Sequence, residues 1–579
     1  MLATASRPAT RSSGTPVLPL GLLVVAIAIG VGGAGFAVLF RWLITFFTVV
    51  FTGHEDYAAS PGAANPHVSG LGPWFVVMTP VLAGLLYGPL VHLFAREARG
   101  HGVPEVMYAV ARHGGRIAPQ VAAVKALASA LCIGSGGSVG REGPIVQIGS
   151  ALGSTFGRMA KVPAERMKLF VACGAAAGIA ATFNAPLAGV FFALELILGS
   201  FSTSAFGLVV IAAVTSAAIG RAAFGDDSFL QLPSFMVHSP WEYGLYALLG
   251  VLGGLVGVGF TRILYLIEDI CDWAWRGPEW LRPAVGGIVL GLLLLLLPQM
   301  YGVGYPVLGN AVSGRYAVGF LLVLLVGKIV ATSLTIGIGG SGGVFAPSLF
   351  VGAMLGSAFG VIVDAWLPTI AGPAGAYGLI GMGAVFAGAA RAPITAVIIL
   401  FELTGEYSII LPMMAAIVVA TAVSHAISHD SIYTLKLSRR GIDLTAPARG
   451  ALTTPVREAM STLPAALLAT APLAEAAGSL TAAAYGVLPV RGADCAFVGI
   501  ITARAVAEAL ADNGTATEKA AIITELPMRV RESDPVETAL EALTTAGCGA
   551  IPVFPEEGDQ PVGWITYPGA LQMLGGDGR

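Results

Sequence analysis

The chain has 579 residues, a formal net charge of -3, 55% hydrophobic residues and only 11% charged ones, with a mean hydropathy of +0.80. Soluble domains carry about 25% charged residues, so this balance excludes an ordinary soluble protein, and no nucleic-acid partner is expected. The five cysteines (Cys132, Cys173, Cys271, Cys495 and Cys548) show neither metal spacing nor a disulfide pattern.

Met1–Thr15 is polar, carries Arg7 and Arg11, and lacks a small-residue cleavage site, so no cleavable signal is expected. Residues 17–51 hold one charge, Arg41, and are long enough to cross a bilayer. Similar apolar stretches lie near 73–94, 205–220, 244–266, 284–299 and 318–335. The loop at 53–70 has Glu55 and Asp56 but no Lys or Arg, whereas 96–116 has Arg96, Arg99, Arg112 and Arg116. Basic residues mark the cytoplasmic side. The N-terminus, the 96–116 loop and the C-terminal part beginning with Lys436, Arg439, Arg440 and Arg449 are therefore expected there. Long apolar runs stop near residue 446. The organisation expected is a tail at 1–16, a membrane domain at 17–435, a linker at 436–453 and a soluble α/β region at 454–579.

The membrane part repeats itself. From Ile133 the chain reads I-G-S-G-G-S-V-G-R-E-G-P-I-V-Q-I-G-S-A-L-G-S-T-F-G, and from Ile336 I-G-I-G-G-S-G-G-V-F-A-P-S-L-F-V-G-A-M-L-G-S-A-F-G, with 13 of 25 positions identical. Lys125 and Lys328 pair at the same offset, and a second repeat runs from Cys173 and from Ile380. Such repeats point to two related halves with a transport site where they meet. Gly and Pro break helices inside a bilayer only where the freed backbone faces a cavity. A broken helix turns its N–H groups and positive dipole end into that cavity, which favours an anion. G-H-G-V-P at 100–104, G-R-E-G-P at 140–144 and G-V-F-A-P at 343–347 read as three such starts, each with Pro in the first turn.

These three segments, with F-N-A-P-L-A-G at 183–189, R-A-P-I-T at 391–395 and S-I-Y-T-L-K at 431–436, resemble the motifs of the CLC chloride channels and chloride/proton exchangers over about 17–440. The resemblance implies an all-α polytopic inverted-repeat fold of about eighteen mostly tilted helices. It also implies a homodimer in the lipid bilayer with one pore per subunit, chloride as the transported ligand, and a bacterial inner-membrane location. It places Glu142 on the gating glutamate, whose carboxylate competes with the anion. Arg141 and Gly143 beside it, the backbone of Val344 and Phe345, and the hydroxyl of Tyr433 fall on anion-binding positions. Lys125, Lys328, Glu195 and Glu402 read as structural.

Two departures bear on mechanism. The central serine of the family is His101 here, a side chain that donates a hydrogen bond when neutral and titrates near neutrality. The inner glutamate that relays protons in exchangers is Leu196, which carries no proton. The sequence therefore favours a chloride channel without tight proton coupling, with an antiporter using a different inner path as the alternative. A divalent-cation transporter needs membrane carboxylates that are scarce here. A sodium-coupled carrier leaves G-R-E-G-P with Tyr433 unexplained, and a receptor role leaves the repeat unexplained.

Residues 454–575 carry a second, soluble repeat that resembles a pair of CBS domains: Y-G-V-L-P-V then F-V-G-I-I-T, and C-G-A-I-P-V-F then V-G-W-I-T. Nucleotide-binding members often use G-h-x-[ST]-x-x-D, with the Asp on the ribose. Here Gly499 and Thr502 lead to Ala505, and Gly563 and Thr566 lead to Gly569. No cofactor is expected, and a nucleotide at this pair is disfavoured.

Overall fold

The computed structural model describes residues 20–225, 239–442, 454–511, 520 and 524–575. The expected tail at 1–16, including Arg7 and Arg11, and Arg449 lie outside the described residues. The chain divides into two compact units, Met1–Ile442 and Asp443–Arg579.

The first unit is helical. Its first half comprises α1 (Leu20–Thr52), α2 (Phe75–Phe94), α3 (Val103–Arg112), α4 (Gln120–Gly134), α5 (Glu142–Met159), α6 (Ala164–Phe183), α7 (Pro186–Phe192) and α8 (Thr203–Phe224). A π-helical turn at Ala193–Leu198 extends α7. The second half comprises α9 (Glu242–Ala274), α10 (Arg282–Leu296), α11 (Tyr305–Val312), α12 (Val318–Gly337), α13 (Phe345–Trp366), α14 (Ala374–Ala390), α15 (Pro393–Thr404) and α16 (Ile410–Ile427), and α17 (Thr434–Arg439) follows. Among the described residues, eight helices are long and apolar enough to cross a membrane. The expected apolar stretches fall on α1, α2, α8, α9, α10 and α12. Helices α6, α13 and α16 are also long and apolar, and of these only the start of α13, at G-V-F-A-P, was anticipated.

The halves match element for element. Helix α5 packs on α6 and α13 on α14, while α1 packs on α8 and α9 on α16. Glycine permits the innermost crossings. A Cβ on Gly149 would lie 2.1 Å from the carbonyl oxygen of Gly174, and at the equivalent crossing one on Gly352 would lie 2.3 Å from that of Gly381. Small residues at helix contacts let backbones approach within a membrane, where packing drives association. Helices α6 and α14 both end on a left-handed residue, Asn184 and Arg391, each with φ 56°. These positions are equivalent in the sequence repeat.

Each half also caps the other. The Glu195 carboxylate accepts from Ile394 N (3.1 Å), Thr395 N (2.8 Å) and Thr395 Oγ1 (2.6 Å) at the start of α15. Its repeat mate Glu402 accepts from Leu187 N (3.0 Å) and Ala188 N (2.7 Å) at the start of α7. The first N–H groups of a helix have no intrahelical partner, and a carboxylate there satisfies both hydrogen bonding and the dipole.

The linker expected at 436–453 begins too early. Helix α17 belongs to the first unit because Lys436 faces Glu268 (3.6 Å), Arg440 pairs with Glu105 (2.8 Å) and Arg439 pairs with Asp269. The bases that marked the cytoplasmic side also make the contacts that hold this helix down.

The second unit has two three-stranded sheets of the same plan. Strands β1 (Leu467–Leu468), β2 (Val487–Arg491) and β3 (Phe497–Thr502) form one, and β4 (Val530–Arg531), β5 (Ala550–Phe554) and β6 (Gly563–Thr566) the other. In each, the first pair is parallel and the second antiparallel. Val487, Ile500, Ala550 and Trp564 form a small core joining the copies.

Glu195→Ala and Glu402→Ala are each expected to destabilise the first unit by about 1–3 kcal/mol, the range for a lost cap and charge-assisted hydrogen bonds. Thermal unfolding in detergent should show comparable losses for the two. Unchanged midpoints would mean that the caps carry no stability.

Candidate functional site

Two buried lysines shape the loops around the centre. Lys125, with no exposed surface, donates to the carbonyls of Ala98 (3.0 Å) and Gly100 (2.7 Å). Lys328, equally buried, donates to Gly302 O (3.0 Å), Val303 O (3.0 Å) and Ser138 Oγ (2.9 Å). A buried ammonium is tolerable only when so surrounded. The two loops are equivalent: G-H-G-V-P at 100–104 leads into α3, and G-V-G-Y-P at 302–306 leads into α11. Gly100 and Gly102 have φ +77° and +85°, and Gly302 and Gly304 +60° and +91°, backbone that glycine adopts without a Cβ penalty. Sequence reading missed the second loop, although its G-x-G-x-P spacing repeats the first.

The repeat axis passes through a two-residue bridge. Gly140 N donates to Gly343 O at 2.7 Å and Gly343 N to Gly140 O at 2.6 Å, and these glycines are repeat mates. Helices α5 and α13 start just beyond it, with Arg141 and Val344 as their N-cap residues. Gly143 is the point of closest approach. A Cβ there would lie 2.0 Å from the carbonyl oxygen of His101 and 3.0 Å from the Cα of Gly343. The three anticipated helix starts therefore converge.

Glu142 is 2% exposed. Its Oε1 accepts from the Tyr305 hydroxyl at 2.7 Å, and Ala346 N, in the first turn of α13, points at Oε2 from 3.4 Å. Tyr305 was not singled out in the sequence. The Arg141 guanidinium lies over the rings of Phe183 (5.3 Å) and Tyr305 (5.4 Å), and Phe345 packs edge-on against Phe386 at 4.5 Å.

His101 is 1% exposed, and neither ring nitrogen has a hydrogen-bond partner in the structure. Its ring centroid is 6.1 Å from that of Tyr265, whose hydroxyl donates to Ile432 O at 2.7 Å. Tyr433 follows, buried, as the N-cap residue of α17. Helix α17 and the π-turn that carries Leu196 both pack on α3, so Tyr433 and Leu196 sit on segments bordering the His101 helix. Leu196 is itself buried.

Two cavities approach this centre. One, of about 540 Å³, is lined by Arg41, Asp56, Arg141 and Tyr305 among others and reaches Glu142 through the last two. The other, of about 730 Å³, includes Arg99, Glu105, Tyr265, Glu268, Lys436 and Arg440 and reaches His101 through Tyr265. The loops that feed them are joined by α2, whose 20 residues span about 30 Å. Positive backbone ends at the centre suit a small anion, while each cavity mixes bases with acids: Arg41 and Arg141 with Glu55 and Asp56 in the first, Lys436 and Arg440 with Glu268 and Glu105 in the second. Glu142 places a carboxylate beside these backbone ends.

In the second unit Thr502 Oγ1 accepts from Ala505 N and Thr566 Oγ1 from Gly569 N, both at 3.1 Å. Each threonine caps the helix that follows its strand. The positions where an aspartate would face a ribose therefore offer a methyl group and a hydrogen atom.

The family profile described as "Voltage gated chloride channel" matches residues 83–425, and that described as "CBS domain" matches 520–571. The chain is 33% identical over 429 residues, covering 73% of itself and 98% of its relative, to "Putative chloride channel protein ClcB-like" of Ralstonia nicotianae. It is 34% identical over 431 residues, covering 73% and 90%, to "H(+)/Cl(-) exchange transporter ClcA" of Vibrio parahaemolyticus. Among solved structures, a slow cyanobacterial Cl-/H+ antiporter superposes with a TM-score of 0.65 at 26% identity, covering 73% of this chain and 99% of that one. The fold and the site define an integral membrane protein built around an anion-favouring centre. The chain belongs to the CLC family of chloride channels and transporters, with a C-terminal CBS region.

His101→Ser is expected to shift anion permeability ratios by roughly twofold to tenfold, the effect of one altered hydrogen bond, without loss of fold. Identical ratios and identical pH response in reversal-potential measurements would mean that the imidazole does not meet the anion. For the soluble region, calorimetry of the 446–579 fragment with ATP or AMP should show no binding in the low-micromolar range. Tight binding would restore a nucleotide-sensing role.

Proposed function

We propose that this protein conducts chloride and other small anions through one pore in each subunit of a homodimer, with Glu142 as the gate and without tight proton coupling. The observation that carries the reading is that the starts of α3, α5 and α13 meet around Gly143, beside the buried Glu142 carboxylate. An anion and that carboxylate compete for the same backbone N–H groups. Protonation or displacement of Glu142 opens the outer end of the path, and Val344, Phe345, Gly143, Arg141 and Tyr433 supply the anion's surroundings. His101 contributes a neutral N–H donor at the inner end. The bacterial inner membrane is the setting that fits, with the 96–116 loop and the C-terminal region on the cytoplasmic side.

Leu196 decides the mode. Stoichiometric exchange requires a proton path from the cytoplasm to Glu142, and an apolar side chain at this point neither binds a proton nor holds water in place. Protons reaching Glu142 from outside then modulate gating without being carried across. Chloride/proton exchange is the second reading. It is favoured by the burial of the Glu142 carboxylate and by relatives that bear the name of exchange transporters.

The test is flux in proteoliposomes. Chloride flux should far exceed potassium or magnesium flux, and Glu142→Gln should remove most of its external pH dependence. With the membrane potential clamped by potassium and valinomycin, a chloride gradient should drive no uphill proton movement. Steady proton pumping at fixed stoichiometry would replace the channel mode with exchange, and cation flux above chloride flux would overturn the anion reading itself.

A further inference from the structure

We infer that Tyr305 is the latch of the outer gate: its hydroxyl holds the Glu142 carboxylate in the buried position, and removing that hydroxyl releases it. This rests on Glu142 acting as the gate.

The geometry is specific. The Tyr305 hydroxyl to Glu142 Oε1 contact, 2.7 Å, is short, whereas the backbone contact to Oε2 from Ala346 is long, 3.4 Å. Donation to an ionised carboxylate is roughly twice as strong as a neutral hydrogen bond. Tyr305 is also held in place. It is the first residue of α11, it follows Gly304 at φ +91°, and its loop is tied through Gly302 and Val303 to the Lys328 ammonium. Arg141 covers its ring from the other side. The hydroxyl therefore reaches Glu142 without first paying much rotamer entropy.

The repeat gives an independent argument. The mate of Glu142 is Phe345, and the mate of Tyr305 is Val103. Acid and donor are thus present together at one of the two equivalent places and absent together at the other. The pair takes one residue from each half and lies behind the cavity lined by Arg41, Asp56 and Arg141, where an arriving anion or proton meets it first.

The consequence has a definite sign. The hydroxyl stabilises the charged carboxylate relative to the acid, so the latched gate needs more protons to open. The other groups whose fields reach Glu142 are Arg141 on its own helix start, Lys328 on α12 and Tyr433 at the start of α17. Arg41 on α1 and Glu55 and Asp56 on the following loop line the cavity that ends at Arg141 and Tyr305. All of these remain in Tyr305→Phe, which also keeps the ring under Arg141. The external pH of half-maximal chloride flux should therefore rise by roughly one to two units, with the same plateau at low pH and more flux at neutral pH.

The experiment measures chloride flux against external pH in proteoliposomes for the parent, Tyr305→Phe, Glu142→Gln and the double variant. An upward shift in Tyr305→Phe that vanishes in the Glu142→Gln background supports the latch. An unchanged or lowered midpoint overturns it, as does a shift that persists without the carboxylate, because the hydroxyl would then act on something else. Glu142→Gln separates the two ideas. If it removes the pH dependence while Tyr305→Phe does nothing, the gate stands and only the latch fails. If it leaves the pH dependence intact, the gating assignment itself fails.

Discussion

A helix interrupted inside a bilayer leaves backbone groups that neither water nor lipid satisfies, and this constraint organises the whole first unit. Lys125 and Lys328 collect the carbonyls of the two glycine loops. Glu195 and Glu402 collect the N–H groups that open α15 and α7. The starts of α5 and α13 are treated differently. Their nearest acid is Glu142, held mainly by a tyrosine and only loosely by backbone. A firmly capped helix end is structural, whereas a loosely met one is available to a ligand.

Near-symmetry makes the functional positions visible by contrast. The bridge between Gly140 and Gly343, the glycine crossings, the lysines and the glutamate caps all have counterparts in the other half. Four residues do not: Glu142 opposes Phe345, Arg141 opposes Val344, His101 opposes Val303, and Tyr305 opposes Val103. All four polar members lie at the centre or line the cavities beside it. A fold built from two matched halves gives a near-symmetric frame, and these unmatched side chains give it a direction.

Much of this was legible in the chain itself. The two repeats, the three glycine-rich helix starts and the soluble α/β tandem stand out because Gly and Pro patterns specify backbone directly. Helix α6 was harder to see, since its charged first turns and its Ala and Gly residues lower its hydropathy while the small residues serve close packing. Tyr305 escaped notice because G-V-G-Y-P carries no charged residue, and its relation to G-H-G-V-P shows only once the halves are superposed. The reciprocal capping by Glu195 and Glu402 joins residues about 200 positions apart, a distance at which local periodicity is silent. The start of α17 was assigned to the linker, and charge alone does not tell a solvated lysine from one paired with Glu268.

The exchanged caps also constrain how the chain is assembled. When synthesis has passed α8, the first half is in the membrane, but the carboxylate for α7 and the partner for Glu195 have not yet been made. Gly140 likewise waits for Gly343. Contacts this distant in sequence form late, and a half-built membrane unit carries polar groups that lipid does not satisfy. The first half therefore stays an incomplete intermediate, open to quality control, until residues 393–404 arrive. The anion-favouring centre is thus unable to close before the second half has been inserted.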